Sequence, residues 1–179
     1  MNNIQRTFII GDKWSFFKIY TGYKTADKIL TDLFYPLSQQ LLLNNIIDKW
    51  FFIRYSDPKF HLRIRFYTDD NSKTGILINN VNNSIKHYVN QDLIWKVQTD
   101  TYIRELERYG DNNIENSEFF FWYDSEMICK ILSFNEVKQD DNLRWLLALK
   151  IIDVLLDSFQ YSLEDKFNFL KTLQKNFRW

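Results

Sequence analysis

The sequence is poor in the residues that build disulfide frameworks and metal centres. Its 179 residues include one cysteine, Cys129, and two histidines, His61 and His87. A single cysteine excludes an internal disulfide and a cysteine metal cluster, and two histidines argue against a histidine-based zinc site. We therefore expect neither a metal nor another cofactor, and we expect His87 to lie on the surface of a helix.

Long apolar stretches and an excess of one charge are also missing. The sequence has no run of 18 apolar residues and no leader in which charge precedes an apolar stretch. We therefore predict no membrane span, no secretion and a cytoplasmic location. Lysine and arginine total 23, as do aspartate and glutamate. This balance argues against nucleic acid as the main partner.

Familiar catalytic signatures are absent, whereas aromatic residues are abundant. There is no glycine-rich phosphate loop, nucleophile elbow or HExxH motif. Four glycines and two prolines predict few loops, and aromatic residues make up 18% of the chain. That content predicts one domain, residues 1–179, with a large core. Any exposed aromatic surface would suit a homodimer or a docking partner.

The order of periodic segments predicts the fold class. Alternating or β-branched runs predict strands at 14–21, 50–67 (a hairpin) and 93–102, and apolar residues at helical spacing predict helices at 25–41 and 74–89. Thr25 is the expected cap of the first helix, and Pro36 should kink or restart it. The resulting order of elements is βαββαβ. It predicts an α+β fold with a ferredoxin-like antiparallel sheet and both helices on one face.

Outside that unit, we expect a polar lead-in at residues 1–13 and a helical part after Gly110. The βαββαβ core would occupy residues 1–110 and the helical part residues 111–179, with only a soft boundary between them. Residues 162–165 place an acid three positions after Ser162, which predicts a capping box at the last helix.

The hairpin at 50–67 carries the first candidate site. Its second run alternates, so that one face of the strand is apolar and the other carries His61, Arg63, Arg65 and Tyr67, with Arg54 on the preceding run. A row of arginines can bind an anion bidentately. The alternative is that these arginines only line the solvated face of an antiparallel sheet.

The second candidate is the charged segment TYIRELERYG at residues 101–110. Arg104 and Arg108 bracket Glu105 and Glu107, which by itself suggests ion pairing on a solvated turn. However, Arg108 and Tyr109 directly follow the strand predicted at a sheet edge, so they could also contribute to a site there.

Four blocks, in order, resemble the C-terminal, glutamate-eliminating domain of lantibiotic dehydratases, which also occurs as separate thiopeptide-type bacteriocin biosynthesis proteins. They are WSFFKIY with ADKIL at 14–30, WFFIRYSDP with HLRIRF at 50–66, TYIRELERYG at 101–110 and FWYDSEMICKIL at 121–132. The second block resembles the most specific signature of the family.

The resemblance implies a lyase that removes glutamate from glutamylated serine or threonine in a precursor peptide, after a partner protein has attached it. We predict that Arg108 and Arg63 or Arg65 hold the glutamyl group and the oxyanion, because arginine cannot itself be the base. His61 is the predicted base. The predicted substrate contacts are Arg54, Tyr67, Arg104 and Tyr109. Asp124 and Ser125 are expected to make local hydrogen bonds.

Two departures from the family leave other functions open. Asp111 stands where the family usually has a second glycine, and the family histidine thought to act in elimination should lie in a segment beyond residue 179. We therefore expect a fragment, a shortened relative or one half of a split system. One alternative is a non-catalytic peptide-binding or scaffold subunit. The other is a pyridine-forming cycloaddition enzyme.

Overall fold

Aromatic and β-branched runs form a four-stranded antiparallel sheet in the computed structural model, which describes residues 4–176. The strands are β2 (Trp14–Thr21), β3 (Lys49–Tyr55), β4 (His61–Tyr67) and β5 (Ile94–Asp100). Their order is β3-β4-β2-β5. The two strands of the hairpin are therefore neighbours, and the first and last strands pair beside them, which confirms the α+β fold and is the order of a ferredoxin-like unit.

A second, two-stranded sheet was not predicted. β1 (Thr7–Phe8) pairs antiparallel with β6 (Tyr102–Ile103). The strand expected at 93–102 therefore ends at Asp100, and Tyr102 belongs to a different sheet. Two-residue strands have no measurable periodicity, which explains why no strand was predicted in the polar lead-in.

The helix after β2 changes its winding before proline. It runs as α1 (Ala26–Ile29), a π-helical turn (Leu30–Phe34) and α2 (Tyr35–Leu43). Pro36 lies in the first turn of α2, directly after the π-helical turn, so the interruption expected at this proline takes the form of a change of helix type. Thr25 makes no capping bond through its side chain, which corrects the predicted cap.

The main core lies between the sheet and its helices. α3 (Thr74–Asn90) packs on the same side as α1 and α2, and His87 near its end is exposed. The inward face of β4 is apolar as predicted, since Leu62, Ile64 and Phe66 are each fully buried. The opposite face carries His61, Arg63 and Arg65, of which His61 and Arg65 are also buried.

α4 (Leu106–Tyr109) and α5 (Ile114–Ser133) follow the small sheet. α5 packs along β3, and its residues Cys129 and Leu132 belong to the main core. For this reason the described chain divides into two compact units between Ser133 and Phe134, and not near Gly110.

The second unit holds α6 (Asn135–Gln139), α7 (Asp141–Ser158) and α8 (Leu163–Asn176). Asp140 caps α7 by accepting from two backbone N–H groups. The Ser162 hydroxyl accepts from the Asp165 N–H at 3.2 Å, and the Asp165 carboxylate accepts from the Ser162 N–H at 3.0 Å, so the capping box is present. Among residues 4–176, no helix combines the length and the apolarity that a bilayer crossing requires.

Candidate functional site

The outward face of the sheet surrounds Arg65 with aromatic rings. Arg65 lies opposite Phe16 on β2 and Phe51 on β3, because both strands pair with β4 at that level. Its guanidinium carbon lies 4.4 Å from the Phe16 ring centroid, 5.1 Å from that of Phe51 and 4.8 Å from that of Tyr102. Alternation of side chains along β4 therefore places this arginine in an aromatic cage.

No acid among the described residues forms an ion pair with Arg65, although the charges of Glu105 and Glu118 act to raise its pKa. Only 6% of the residue is exposed, and Nε and Nη1 have no hydrogen-bond partner in the part of the chain that the structure describes. Burial lowers the pKa of Arg65 from 12.5 to about 10, which still leaves it protonated at neutral pH. A buried cation with free donors is an arrangement that favours an anionic ligand.

Arg65 lines a cleft of about 440 Å³ between β3, α5 and the segment around α4. Its wall is formed by Phe51, Phe52, Ile53, Arg54, Arg65, Tyr102, Ile103, Glu105, Tyr109, Phe121, Asp124 and Ile128. Phe121 packs on Phe51, with ring centroids 5.4 Å apart, and on Tyr109, 5.3 Å apart. The cleft therefore has an apolar, aromatic floor with a few charged groups, as small-molecule sites usually do.

Of the other charged groups on this wall, Arg54 and Glu105 are paired. Arg54 Nη2 lies 2.5 Å from an Asp27 carboxylate oxygen. Glu105 pairs with Arg108 at 3.1 Å, an (i, i+3) pair in which both side chains are mostly exposed. Arg108 thus contacts the cleft wall through its ion pair with Glu105, although its own side chain is not one of the residues that form the wall.

The structure brings Arg54, Arg65 and Tyr109 together at the cleft, and it places His61 and Arg63 in a separate cluster on the same sheet face. Arg63 Nε donates to Nε2 of His61 at 3.3 Å, and the Arg63 guanidinium carbon lies 3.4 Å from the Tyr55 ring centroid. The other nitrogen of His61, Nδ1, lies 2.8 Å from the Lys59 carbonyl oxygen. Nδ1–H therefore donates to Lys59 and Nε2 accepts, which is the neutral imidazole. Burial lowers the pKa of His61 below 6.5, which favours the same neutral form.

Arg104 and Tyr67 belong to a third group, a buried ion cluster around Glu118. Arg104 Nε and Nη2 each donate to a Glu118 oxygen at 2.7 Å, and the Tyr102 hydroxyl donates to the same carboxylate at 3.1 Å. Lys49 lies 3.6 Å from Glu118 and 4.7 Å from the Tyr67 ring centroid. The Arg104 guanidinium, predicted to touch substrate, is occupied in holding α5 to the small sheet.

Sequence reasoning missed Glu118 as a buried partner and Asp124 as a cleft residue. Glu118 is fully buried, four residues after buried Ile114 and seven before buried Ser125. This helical spacing was the signal that could have found it. Asp124 lines the cleft, and its neighbour Ser125 accepts from the Phe52 N–H at 3.1 Å. Phe52 lies 73 residues away in the sequence, so the local hydrogen bonding predicted for Asp124 and Ser125 is wrong.

The side chain of Asp124 makes no hydrogen bond or ion pair within residues 4–176. Asp124 is exposed to solvent, yet desolvation by the protein atoms around its carboxyl raises its pKa above 3.8. The described residues contain no group of three or more histidine, cysteine, aspartate or glutamate side chains that could hold a metal ion.

Comparison with known proteins gives a consistent family. The pattern of the family described as "Lantibiotic biosynthesis dehydratase C-term" matches residues 14–178. The subtilin biosynthesis protein SpaB of Bacillus subtilis is 25% identical over 177 residues, which is 93% of this chain and 16% of SpaB. The nisin biosynthesis protein NisB of Lactococcus lactis subsp. lactis is 28% identical over 136 residues, 73% of this chain and 13% of NisB. The chain therefore spans about one sixth or less of the length of these relatives.

Solved structures agree with the fold. The tRNA-dependent lantibiotic dehydratase MibB of Microbispora sp. 107891 matches with a TM-score of 0.64 and 29% identity, over 70% of this chain and 12% of MibB. The crystal structure of TsrL matches with a TM-score of 0.52 and 17% identity, over 70% of this chain and 37% of TsrL, and shows the shared fold alone.

Proposed function

This chain belongs to the lantibiotic biosynthesis dehydratase C-terminal family, and from that membership we propose that it removes glutamate from glutamylated serine or threonine residues of a precursor peptide. The products are a dehydroamino acid in the peptide and free glutamate. In this proposal a separate protein or domain of glutamylating activity supplies the substrate.

The proposed reaction is a β-elimination. A base takes the Cα proton, its electron pair forms the Cα–Cβ double bond, and the bond from Cβ to the ester oxygen breaks, so that glutamate leaves as a carboxylate. Fixed positive charge stabilises both the enolate that develops and the departing carboxylate. The chain can supply this charge without supplying the base.

Arg65 is the observation that carries the proposal. It is a buried guanidinium on the wall of a cleft. Within the described residues, its Nε and Nη1 have no hydrogen-bond partner and no acid forms an ion pair with it. A guanidinium binds a carboxylate bidentately and stays protonated while doing so. We assign to Arg65 the contact with a glutamyl carboxylate. Arg63, on the same sheet face, contacts His61 and Tyr55 and is not one of the residues that form the cleft wall.

The test is incubation of the full chain with a glutamylated precursor peptide, followed by mass spectrometry. We expect the wild type to release glutamate and Arg65→Gln to release at least about a hundredfold less, because removing one such donor commonly costs two to three orders of magnitude. Arg6→Gln is the matched control, since Arg6 is a half-exposed arginine paired with Glu107. Equal turnover in Arg65→Gln and wild type would remove Arg65 from the reaction.

Arg108 tests the edge of the site. It is mostly exposed, and its ion pair within residues 4–176 is the exposed one with Glu105, so Arg108→Ala should leave the fold intact. We expect Arg108→Ala to stop glutamate release, because the resemblance gives this arginine a part in holding the glutamyl group. Normal release by Arg108→Ala would limit its role to the Glu105 pair.

A second function is favoured by one observation. No histidine lines the cleft in the described chain, and the nearby His61 has both ring nitrogens engaged. A non-catalytic subunit that holds the modified peptide would need the arginines and no base. In the same assay, binding of the glutamylated peptide without glutamate release supports this function.

A further inference from the structure

We propose that Asp124 binds the ammonium group of the glutamyl residue while Arg65 binds its carboxylate, so that the cleft selects an amino acid over a plain dicarboxylate. This inference rests on the proposed function, because it names the part of the glutamyl group that each side of the same cleft recognises.

The wall of the cleft carries four charged side chains. Two of them are paired with their own partners, Arg54 with Asp27 and Glu105 with Arg108. Arg65 and Asp124 remain. The described chain gives neither of them an oppositely charged partner. The cleft thus presents one free cation and one free anion to a ligand.

Asp124 and Arg65 lie on the same cleft wall. Asp124 lies one helical turn beyond Phe121 on α5, so the two side chains are neighbours on one face of the helix. Phe121 contacts Phe51, and Phe51 contacts the Arg65 guanidinium. The cation and the carboxylate therefore lie at two positions along one aromatic floor, separated by the two rings. A ligand with charges at both ends can lie over these rings.

Hydrogen bonds to β3 set the orientation of α5. The two residues after Asp124 are turned toward β3, since Ser125 accepts from the Phe52 N–H and Glu126 accepts from the Trp50 indole N–H at 2.7 Å. These bonds fix the rotation of the helix about its axis. Asp124 is then directed to the cleft by contacts that do not involve its own side chain, which is a pre-organised arrangement.

The proposed ligand carries charges of both signs. A glutamyl ester keeps one carboxylate and one ammonium group, whichever carboxyl forms the ester. Glutarate has the same carbon chain and two carboxylates, but it lacks the ammonium. A site with one arginine and one aspartate should therefore bind L-glutamate more tightly than glutarate, whereas a site that used only arginine would not discriminate in this direction.

The experiment measures binding of L-glutamate and of glutarate to the full chain, by calorimetry or by NMR shifts at millimolar ligand. We expect the wild type to prefer L-glutamate, and we expect Asp124→Asn to weaken L-glutamate binding by roughly tenfold while leaving glutarate unchanged. Arg65→Gln should weaken both ligands. Asp111→Asn, which changes an exposed aspartate outside the lining residues, is the matched control and should change neither.

The outcomes separate this inference from the proposed function. Equal loss of both ligands in Asp124→Asn, unchanged L-glutamate binding, or no L-glutamate binding by the wild type would each overturn it. If the discrimination is found but the glutamylated peptide is never cleaved, the elimination fails and the binding assignment survives. If the peptide is cleaved and Asp124→Asn binds both ligands normally, only this inference fails.

Discussion

Arg104 and Glu118 form a bidentate pair in which two guanidinium nitrogens each donate to a different carboxylate oxygen at 2.7 Å. Both side chains are almost wholly buried, and the pair joins the strand β6 to the helix α5. The Arg104 guanidinium also donates to the carbonyl oxygen of Gln5 at 3.0 Å, so the N-terminal segment is held by the same group.

Glu118→Gln should therefore destabilise the protein strongly. It leaves buried Arg104 and Lys49 without their shared anion, and breaking a buried pair on one side costs about 3–5 kcal/mol. Chemical denaturation measures the change in the free energy of unfolding. The control is Glu107→Gln, which breaks the exposed, solvent-screened pair with Arg6 and should change the free energy of unfolding little. Similar losses in both variants would show that the buried pair contributes no more than the exposed one.

Arg65→Met should have the opposite effect on stability. The native fold keeps this guanidinium buried with no acid beside it, at a cost in desolvation. A side chain of similar length without charge should raise the free energy of unfolding by about 1 kcal/mol or more, while binding of carboxylate ligands is lost. A variant that is less stable than wild type would show instead that the cation–π contacts with Phe16, Phe51 and Tyr102 outweigh the desolvation.

His61 should make stability depend on pH near neutrality. Burial lowers its pKa in the folded state below 6.5, and Lys18 and Arg63 act in the same direction, whereas the Lys59 carbonyl and Asp57 oppose them. The unfolded chain then binds more protons than the folded one at pH values below 6.5. The contribution of His61 to the free energy of unfolding is fully present above pH 6.5. It is lost as the pH falls through the lowered pKa of the folded state, because protonated Nε2 can no longer accept from Arg63.

His61→Gln should remove this loss, since a glutamine oxygen accepts from Arg63 at any pH. Unfolding measured between pH 7.5 and pH 5 checks it, with the exposed His87→Gln as the variant that keeps the wild-type dependence. The same variant tests the predicted base. If His61→Gln still releases glutamate, His61 is not the base, and its role is limited to positioning Arg63.

The sequence predicted the sheet because its strands are long enough to show a period. Leu62, Ile64 and Phe66 alternate with His61, Arg63 and Arg65. The structure places the first three in the main core and the other three on the opposite face, where His61 and Arg65 are also buried. The pairing of β1 with β6 could not be predicted in this way, because each strand has two residues. What decides that pairing is the buried cluster around Glu118, which depends on contacts distant in sequence.

The candidate site was only partly accessible to the same reasoning. Alternation correctly put His61, Arg63 and Arg65 on one face, but it could not show that Arg63 is held by His61 and that Arg65 is free. That difference depends on which aromatic rings the neighbouring strands place beside each guanidinium. Asp124 was invisible as a cleft residue, because its position follows from how α5 packs on β3.

Ser125→Ala should loosen that packing. The Ser125 hydroxyl accepts from the backbone N–H of Phe52, and α5 covers this edge of β3. Its removal leaves a donor without a partner, which costs about 1–3 kcal/mol if water cannot reach it. Ser133→Ala is the control, since that hydroxyl only donates to the Cys129 carbonyl within the same helix. Equal effects of the two substitutions on the unfolding free energy would contradict a role for Ser125 in docking α5.

Gly110→Ala should destabilise the segment that carries Arg108 and Tyr109. Gly110 ends α4 with φ +76° and ψ 148°, a conformation that side-chain-bearing residues rarely adopt. Alanine has space there, since no atom lies within 4 Å of the added carbon, so the cost of about 1–3 kcal/mol is purely conformational. Gly75→Ala offers the matched comparison: it lies in the first turn of α3, also in open space, and should stabilise by up to about 1 kcal/mol. Opposite signs of the two changes in thermal unfolding are the expected result, and stabilisation by both would show that the turn after Tyr109 can adopt another backbone conformation.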